Sequence, residues 1–501
     1  MTILPVGDYR PDLPAYLGTH STIANNVYFK PDGSVGPLRA AVTWSNPLTR
    51  PAGAFQARNG AGTVVLYVGQ ENSRDLAVYR GFAFSQMTTA TDIGVATLYY
   101  PWRFTQFGDY VYASHWSGGL WTHPTGATAA FARIAAAPSG AHIATIEPGF
   151  LMLGHLNDSA GEKPSSLRWS AINDATDWPT VGSSDAASKQ ADEQELPNGG
   201  RIMGLLSAVG GAAGAVLAER AIYRIEYVGA PAVFAFREVA RGVGSVCPNG
   251  AISVNGVAYF ISEDGFQRFD GQNVTPIGQG RVSATFWADV SQEYLHRVYV
   301  AHDPLRKVLV WAYPTPSATW GDPNRWLIYS YATDRWSAAD DSGIAVSGLF
   351  TALTNFIGVD SFDVTFGVSP DSVGFLLESP TLNGGAPILG GFDTSYRLVY
   401  FTGANLAARI ETGETDAQGQ RVYVSGIRPL TDAGTLTAQV GHRTRFADAL
   451  AYTTARTRGA DYTAPARIAT RYARARVNIP AGAQWTYLQG ADVTVRQEGR
   501  R

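Results

Sequence analysis

Along most of this chain apolar and polar positions alternate over runs of four to eight residues, and turn-forming residues interrupt them every few positions. That period of two is the signature of short, half-buried strands. The clearest unit is 244–278. It holds strands at 257–262 and 266–270, the tight turn Glu263-Asp264-Gly265, a second turn at Asp270-Gly271-Gln272-Asn273, and a short exit strand at 274–277. Asp-Gly supplies the positive φ that a tight hairpin turn needs. Short strands joined by closely spaced turns are the texture of one propeller blade.

The same texture recurs from residue 61 onward. Strand groups fall at 63–68 with 76–80, at 103–122, at 143–170, at 202–239, at 257–277 and at 298–331. Their spacing of roughly 40 to 50 residues is that of propeller blades. Gly210-Gly-Ala-Ala-Gly214 joins two strands and lacks the lysine of a phosphate-binding loop, so it reads as a hairpin turn. The expectation is an all-β chain with a β-propeller core, an inserted loop-rich region and a C-terminal β module. Residues 1–60 form an N-terminal arm with first strands, either packed on a neighbour or leading the first blade. Residues 61–340 form the blades. Residues 341–395, dense in Gly, Ser and Pro, form the loop-rich insertion, with 362–366 and 374–377 as strand candidates. Residues 396–501 form a basic β module with strands at 396–402, 407–411, 421–427, 435–442, 473–479 and 491–496. This module is also a candidate to close the ring of blades.

Two segments share a strand-turn-tryptophan pattern: Trp169-Ser-Ala-Ile-Asn-Asp-Ala-Thr-Asp-Trp178 and Tyr331-Ala-Thr-Asp-Arg-Trp336. An aspartate here holds its own backbone turn, and the tryptophan caps the core between blades. The competing reading is a ligand-stacking surface.

Composition sharpens this picture. The 501 residues are 45% hydrophobic, 12% aromatic and only 16% charged, with 54 glycines, which suits strands and turns. The single cysteine, Cys247, permits no intrachain disulfide and reads as a small buried hydrophobe in a protein made in a reducing compartment. The start of the chain lacks the pattern of a signal peptide, and the longest weakly polar run, 205–218, is shorter than the ~20 residues of a spanning helix. No membrane insertion is expected.

Charge is unevenly divided. Residues 421–501 carry 13 arginines, no lysine and 5 acidic residues, a net +8 against −11 for the remainder and −3 overall. Arg467, Arg471, Arg474 and Arg476 are candidates to dock an acidic neighbour, with Arg474 and Arg476 on one strand face. The alternative is a solvated face in an arginine-biased composition, for only Lys30, Lys163, Lys189 and Lys307 are lysines.

Catalytic signatures are lacking. The eight histidines, His20, His115, His123, His142, His155, His296, His302 and His442, show no metal-ligand spacing, and there is no nucleophile elbow. Asp192, Glu193 and Glu195 are neighbouring carboxylates in a polar loop. Ser262-Glu-Asp-Gly265 only partly matches the aspartate box of sialidase-type propellers. No enzyme activity, cofactor or metal is expected.

Several segments resemble the nozzle proteins of short-tailed bacteriophages, also called tail tubular, packaged-DNA stabilisation or tail hub proteins. They are Ala218-Glu-Arg-Ala-Ile-Tyr-Arg-Ile225, Gly242-Val-Gly-Ser-Val-Cys-Pro248 with Ala258-Tyr-Phe-Ile-Ser-Glu-Asp-Gly-Phe-Gln-Arg-Phe-Asp-Gly271, and the 169–178 segment. Tyr400-Phe-Thr-Gly-Ala-Asn-Leu-Ala-Ala-Arg-Ile-Glu-Thr-Gly413 and Arg471-Tyr-Ala-Arg-Ala-Arg476 continue the likeness. Together they span about 165–500. The resemblance implies a structural protein of the virion tail, made in the bacterial cytoplasm and assembled as a homohexameric ring. The ring would sit below the portal and its adaptor, the head-to-tail connector. It would retain packaged double-stranded DNA, pass it without sequence preference at ejection, and dock tail fibres or spikes. The family supplies no catalytic residues. An alternative from a different class is a propeller that binds or cleaves glycans, with Asp264 or Asp334 at a blade mouth.

Overall fold

The computed structural model describes every residue except 1, 15–17, 46, 72–75, 81–82, 87–98, 341, 354–386, 417–419 and 498–501. It is an all-β propeller joined to a β-sandwich. Six antiparallel four-stranded sheets follow one another in sequence order. Their innermost strands are Pro51–Arg58, Arg103–Phe107, Ser139–Ile146, Ile202–Ser207, Ile252–Val254 and Tyr299–Asp303. A seventh blade combines Val346–Leu353, Pro387–Asp393 and Leu398–Tyr400 with Val42–Thr43 from the other end of the chain. The seventh inner strand packs against the first, which closes the ring. The Gln56 amide both donates to the Leu353 carbonyl, at 2.7 Å, and accepts from the Leu353 N–H.

This arrangement corrects the expected boundaries. The first blade begins at Pro51 rather than 61, and the span 341–395 supplies two strands of the seventh blade. The ring is closed by Leu398–Tyr400, from the start of the expected C-terminal module, together with Val42–Thr43 from the N-terminal arm, while the rest of that module builds the sandwich. Val42–Thr43 pairs the edge that Leu398–Tyr400 would otherwise leave open and so ties the chain's beginning to its last blade. The strand candidates 362–366 and 374–377 lie outside the described residues.

The C-terminal module and the first 37 residues build a sandwich together. One sheet orders Val27–Phe29, Val35–Pro37, Leu488–Gln497, Val422–Thr431 and Ala464–Thr470, with Thr2–Pro5 also paired to Leu488–Gln497. The other contains Ala24–Asn25, Ala408–Glu411, Tyr472–Ile479 and Thr437–Arg443. Between them Val424, Ile427, Val440, Ala475, Ala491 and Val493 are buried. The N-terminal arm is therefore an integral part of this domain. The second sheet is continuous with the sixth blade, because Asn25 pairs in parallel with Ala338 of its outer strand. The Asn26 N–H also donates to the Ala338 carbonyl, at 2.8 Å.

The fifth blade has the expected turns. Ser262 and Gly265 close the hairpin, and Gly265 has φ +102°. A Cβ there would land on the Ser283 hydroxyl, so this position requires glycine for both conformation and space. Asp270 Oδ1 accepts from the N–H groups of Gln272 and Asn273, at 2.9 and 2.7 Å. The Gly210 hairpin of the fourth blade packs directly against Asp270-Gly271. That close approach leaves no room for a side chain on either glycine.

The tryptophans of the repeated pattern are core residues. Trp169, Trp178 and Trp336 are 2%, 3% and 0% exposed. Trp336 joins Phe266, Trp311 and Tyr329 between the fifth and sixth blades, and its indole N–H donates to the Ile277 carbonyl at 2.8 Å. The first turn is held by Asp174, which accepts from Thr176, rather than by Asp177, which pairs with Lys189 at 2.8 Å. Cys247 is a free, fully buried thiol, and burial pushes its ionisation up.

Candidate functional site

The four arginines proposed for docking divide into two pairs. Arg467 and Arg471 are exposed. Arg474 and Arg476 are not free to dock: they alternate along Tyr472–Ile479 and point to one face, where both meet Glu411. Glu411 Oε2 accepts from Arg474 at 2.9 Å and from Thr22 at 3.2 Å, and Oε1 accepts from Tyr452 at 2.6 Å. Glu414 lies beside them and accepts from Arg443 Nε at 3.0 Å. Both glutamate side chains are 0% exposed. Arg476 stacks over the Tyr452 ring at 3.5 Å, and Arg443 over Phe446 at 4.4 Å. The network offsets two of the eight net positive charges that the sequence counts in 421–501, because Glu411 and Glu414 fall just upstream of that window.

The carboxylates of the glycan reading are also engaged or isolated. Asp334 is partly buried, which raises its pKa, but two hydrogen bonds from Arg281 at 2.9 Å and one from Tyr329 at 2.8 Å outweigh that and hold it ionised. Asp264 is exposed in its hairpin turn, where its backbone N–H donates to the Ser262 hydroxyl at 3.2 Å. Glu193 bonds Lys163 at 2.9 Å and Glu195 accepts from Ser165, so this acidic run is the outer strand of the third blade. Among the described residues no group of three His, Cys, Asp or Glu is placed to hold a metal ion. No described helix is long and apolar enough to cross a membrane.

Several histidines are held neutral inside the propeller. Burial lowers His115 and His296 to about 4 and puts His142 well below its usual value, with Arg103 adding to the effect at His142. His155 is lowered by burial too, although Glu162 at 2.8 Å opposes it. His302 bonds the Tyr331 hydroxyl and His123 the Tyr67 hydroxyl, both as core polar contacts.

The most distinctive chemistry lies where no motif marked it. The propeller encloses a central channel of about 610 Å³, lined by the inner strands of all seven blades. Its wall mixes polar and apolar side chains, with Phe55 stacked on Phe104 at 6.4 Å between centroids. Among the described residues that line it, Arg103 is the only charged side chain. It opens the inner strand of the second blade, directly after the buried Trp102, and donates to the Pro248 carbonyl at 2.6 Å. Its Nε is buried without a hydrogen-bond partner. Burial lowers its pKa to about 10, with only Tyr299 acting in the other direction. The mouth beside it carries Arg201, which donates to the Tyr99 hydroxyl at 3.0 Å, and Tyr99 packs on His296 at 5.4 Å. Sequence reasoning missed this site because seven strands far apart in the chain converge to make it. Arg103 by itself is one arginine in an alternating strand.

No family model matches the chain, and no curated protein does. Among solved structures, the chain is similar to the Pan2 WD40 domain of Neurospora crassa at 8% identity and TM-score 0.40, covering 72% of this chain and 94% of that one. A chain of a mitotic checkpoint complex aligns at 11% identity and TM-score 0.36, covering 73% and 95%. YCF48 bound to a D1 peptide aligns at 12% identity and TM-score 0.36, covering 61% and 85%. The propeller assignment rests on the chain's own sheet topology.

Proposed function

We propose that this chain is a non-enzymatic structural subunit of a short-tailed phage virion, a nozzle or tail hub that assembles as a homohexameric ring below the portal adaptor. The basis is the ordered set of resembling segments from 165 to 500. The observation that carries it further is the continuous sheet from the sixth blade into the sandwich. It couples two domains through backbone hydrogen bonds, and a ring wall under load from packaged DNA needs that stiffness.

The DNA path in this reading is the axis of the assembled ring. The propeller's own channel, about 610 Å³ and ringed by inner strands that carry inward side chains such as Phe55, Phe104 and Leu349, is not that path. The first 420 residues carry a net −11, and a bore lined by them would let a duplex slide, because each phosphate paired with a cation adds affinity. Arg467 and Arg471, exposed on the sandwich, are the remaining candidates for docking an acidic partner such as the adaptor, a fibre or a spike.

A glycan-cleaving role is less well supported, since it needs a protonated carboxyl and Asp334 is held ionised. Size-exclusion chromatography with light scattering and negative-stain imaging, with and without the adaptor protein, tests the proposal. The expected result is a six-fold ring, formed alone or on the adaptor. A monomer that degrades capsular polysaccharide would overturn it.

A further inference from the structure

We propose that the central channel of the propeller is a binding site for a small organic carboxylate with an apolar body, anchored by Arg103. The inference is independent of the tail reading, because it concerns the inside of one propeller and no contact between copies.

Three observations carry it. The first is an unmet donor. Arg103 bonds the Pro248 carbonyl with one terminal nitrogen, while its buried Nε has no partner. A guanidinium presents its donors in a planar fork that matches a carboxylate. The second is the absence of a compensating charge among the described residues: the others that line the channel are uncharged, and none of them acts on Arg103 as a carboxylate. A buried cation without an anion is costly, by several kcal/mol in general, and a bound anion removes that cost. Nearby protonatable groups do not compete for the anion's role. His142 is neutral, and Arg201, which shares a small side pocket with Arg103, is already faced by Glu219 and Glu162.

The third is shape and polarity. The channel wall includes Phe55, Phe104, Leu205, Ile252, Val300 and Leu349, whose side chains suit an aromatic or aliphatic body. Tyr299 and Asn249 also line the channel, with Tyr299 near enough to act on Arg103 electrostatically. The Asn249 amide donates to the His296 carbonyl at 2.5 Å, which fixes its orientation. At the far end the reciprocal Gln56–Leu353 hydrogen bonds tie the first and seventh blades together.

Isothermal titration calorimetry with 3-phenylpropionate as probe tests this, alongside its neutral amide and inorganic phosphate. The expected result is saturable 1:1 binding of the carboxylate with a dissociation constant of about 1 mM or tighter. The amide and phosphate should bind at least about tenfold more weakly, since one lacks the charge and the other the apolar body. Arg103→Met should weaken the carboxylate about ten- to a hundredfold, and Arg103→Lys should give an intermediate loss. Should Arg103→Met not fold, Tyr299→Phe reports on the same pocket and should weaken the carboxylate but not the amide. No saturable binding, equal binding of the amide or phosphate, or full affinity in Arg103→Met would each overturn the proposal.

Discussion

Arg474 and Glu411 form an ion pair at 2.9 Å inside the C-terminal sandwich, with side chains 9% and 0% exposed. They sit on strands that pair antiparallel, Tyr472–Ile479 and Ala408–Glu411. Glu411 thus receives Arg474, Arg476, Tyr452 and Thr22 at once, which turns two apparent surface arginines into the internal tie of a domain.

Removing one partner leaves the other charged, buried and unpaired. Glu411→Gln or Arg474→Met should each destabilise the sandwich by about 3–5 kcal/mol, whereas the double variant should recover part of the loss. Urea denaturation followed by tryptophan fluorescence measures this. Arg474→Glu with Arg476→Glu should therefore unfold the sandwich rather than report on docking. Arg467→Glu with Arg471→Glu is the pair that should leave the melting temperature unchanged while reducing incorporation into tail particles.

Ring closure depends on a two-residue strand and its flanking tryptophan. Trp44 is 6% exposed, packs edge-on to Tyr400 at 5.6 Å, and its N–H bonds the Leu398 carbonyl at 2.8 Å. Trp44→Ala should cost about 3–5 kcal/mol. Hydrogen exchange should show the largest loss of protection in Val346–Leu353 and Pro387–Asp393, with the fourth blade little changed.

His115 makes stability fall in acid. Burial holds its folded pKa at about 4, below the ordinary histidine value of about 6.5. The unfolded chain therefore binds a proton before the native state does, and the contribution present above pH 6.5 is lost as pH falls through that window to about 4. The full span corresponds to roughly 3 kcal/mol. Melting temperature measured between pH 7.5 and pH 4 should decline for the native sequence, and His115→Phe should flatten part of that slope.

Gly265 is confined by φ +102° and by Ser283. Gly265→Ala should destabilise by roughly 1–3 kcal/mol. Adding Ser283→Ala should restore only part of this, since it relieves the clash and leaves the backbone conformation. Chemical denaturation of the single and double variants separates the two terms.

Much of the fold was written locally. The alternation along 257–277, the Asp-Gly turns and the recurring spacing of strand groups specify an all-β propeller, because strand period and turn chemistry are properties of a few adjacent residues. Trp169, Trp178 and Trp336 were legible as core for the same reason. The longer strands of the C-terminal module were legible too, except Ala464–Thr470, where Pro465 and Arg467 at φ 55° interrupt the alternation, whereas the two-residue strands Thr415–Asp416, Ala451–Tyr452 and Arg456–Thr457 are too short to show a period.

What the chain's order cannot express is which distant segments meet. Val42–Thr43 is too short to stand out, yet it completes the seventh blade because the last sheet has an open edge for it. Glu411 lies outside the arginine-rich window, yet strand pairing brings it against Arg474 and Arg476, so a count of charge mistook an internal network for a surface. The channel around Arg103 arises only when seven inner strands converge. The fifth blade's hairpins remain what their residues dictate, register-setting turns. The sequence alone determined that this protein is built of blades. Only the tertiary structure decided that there are seven, how they close, and that one uncompensated cation faces the space they enclose, because contacts between remote strands are set by packing and edge pairing rather than by local pattern.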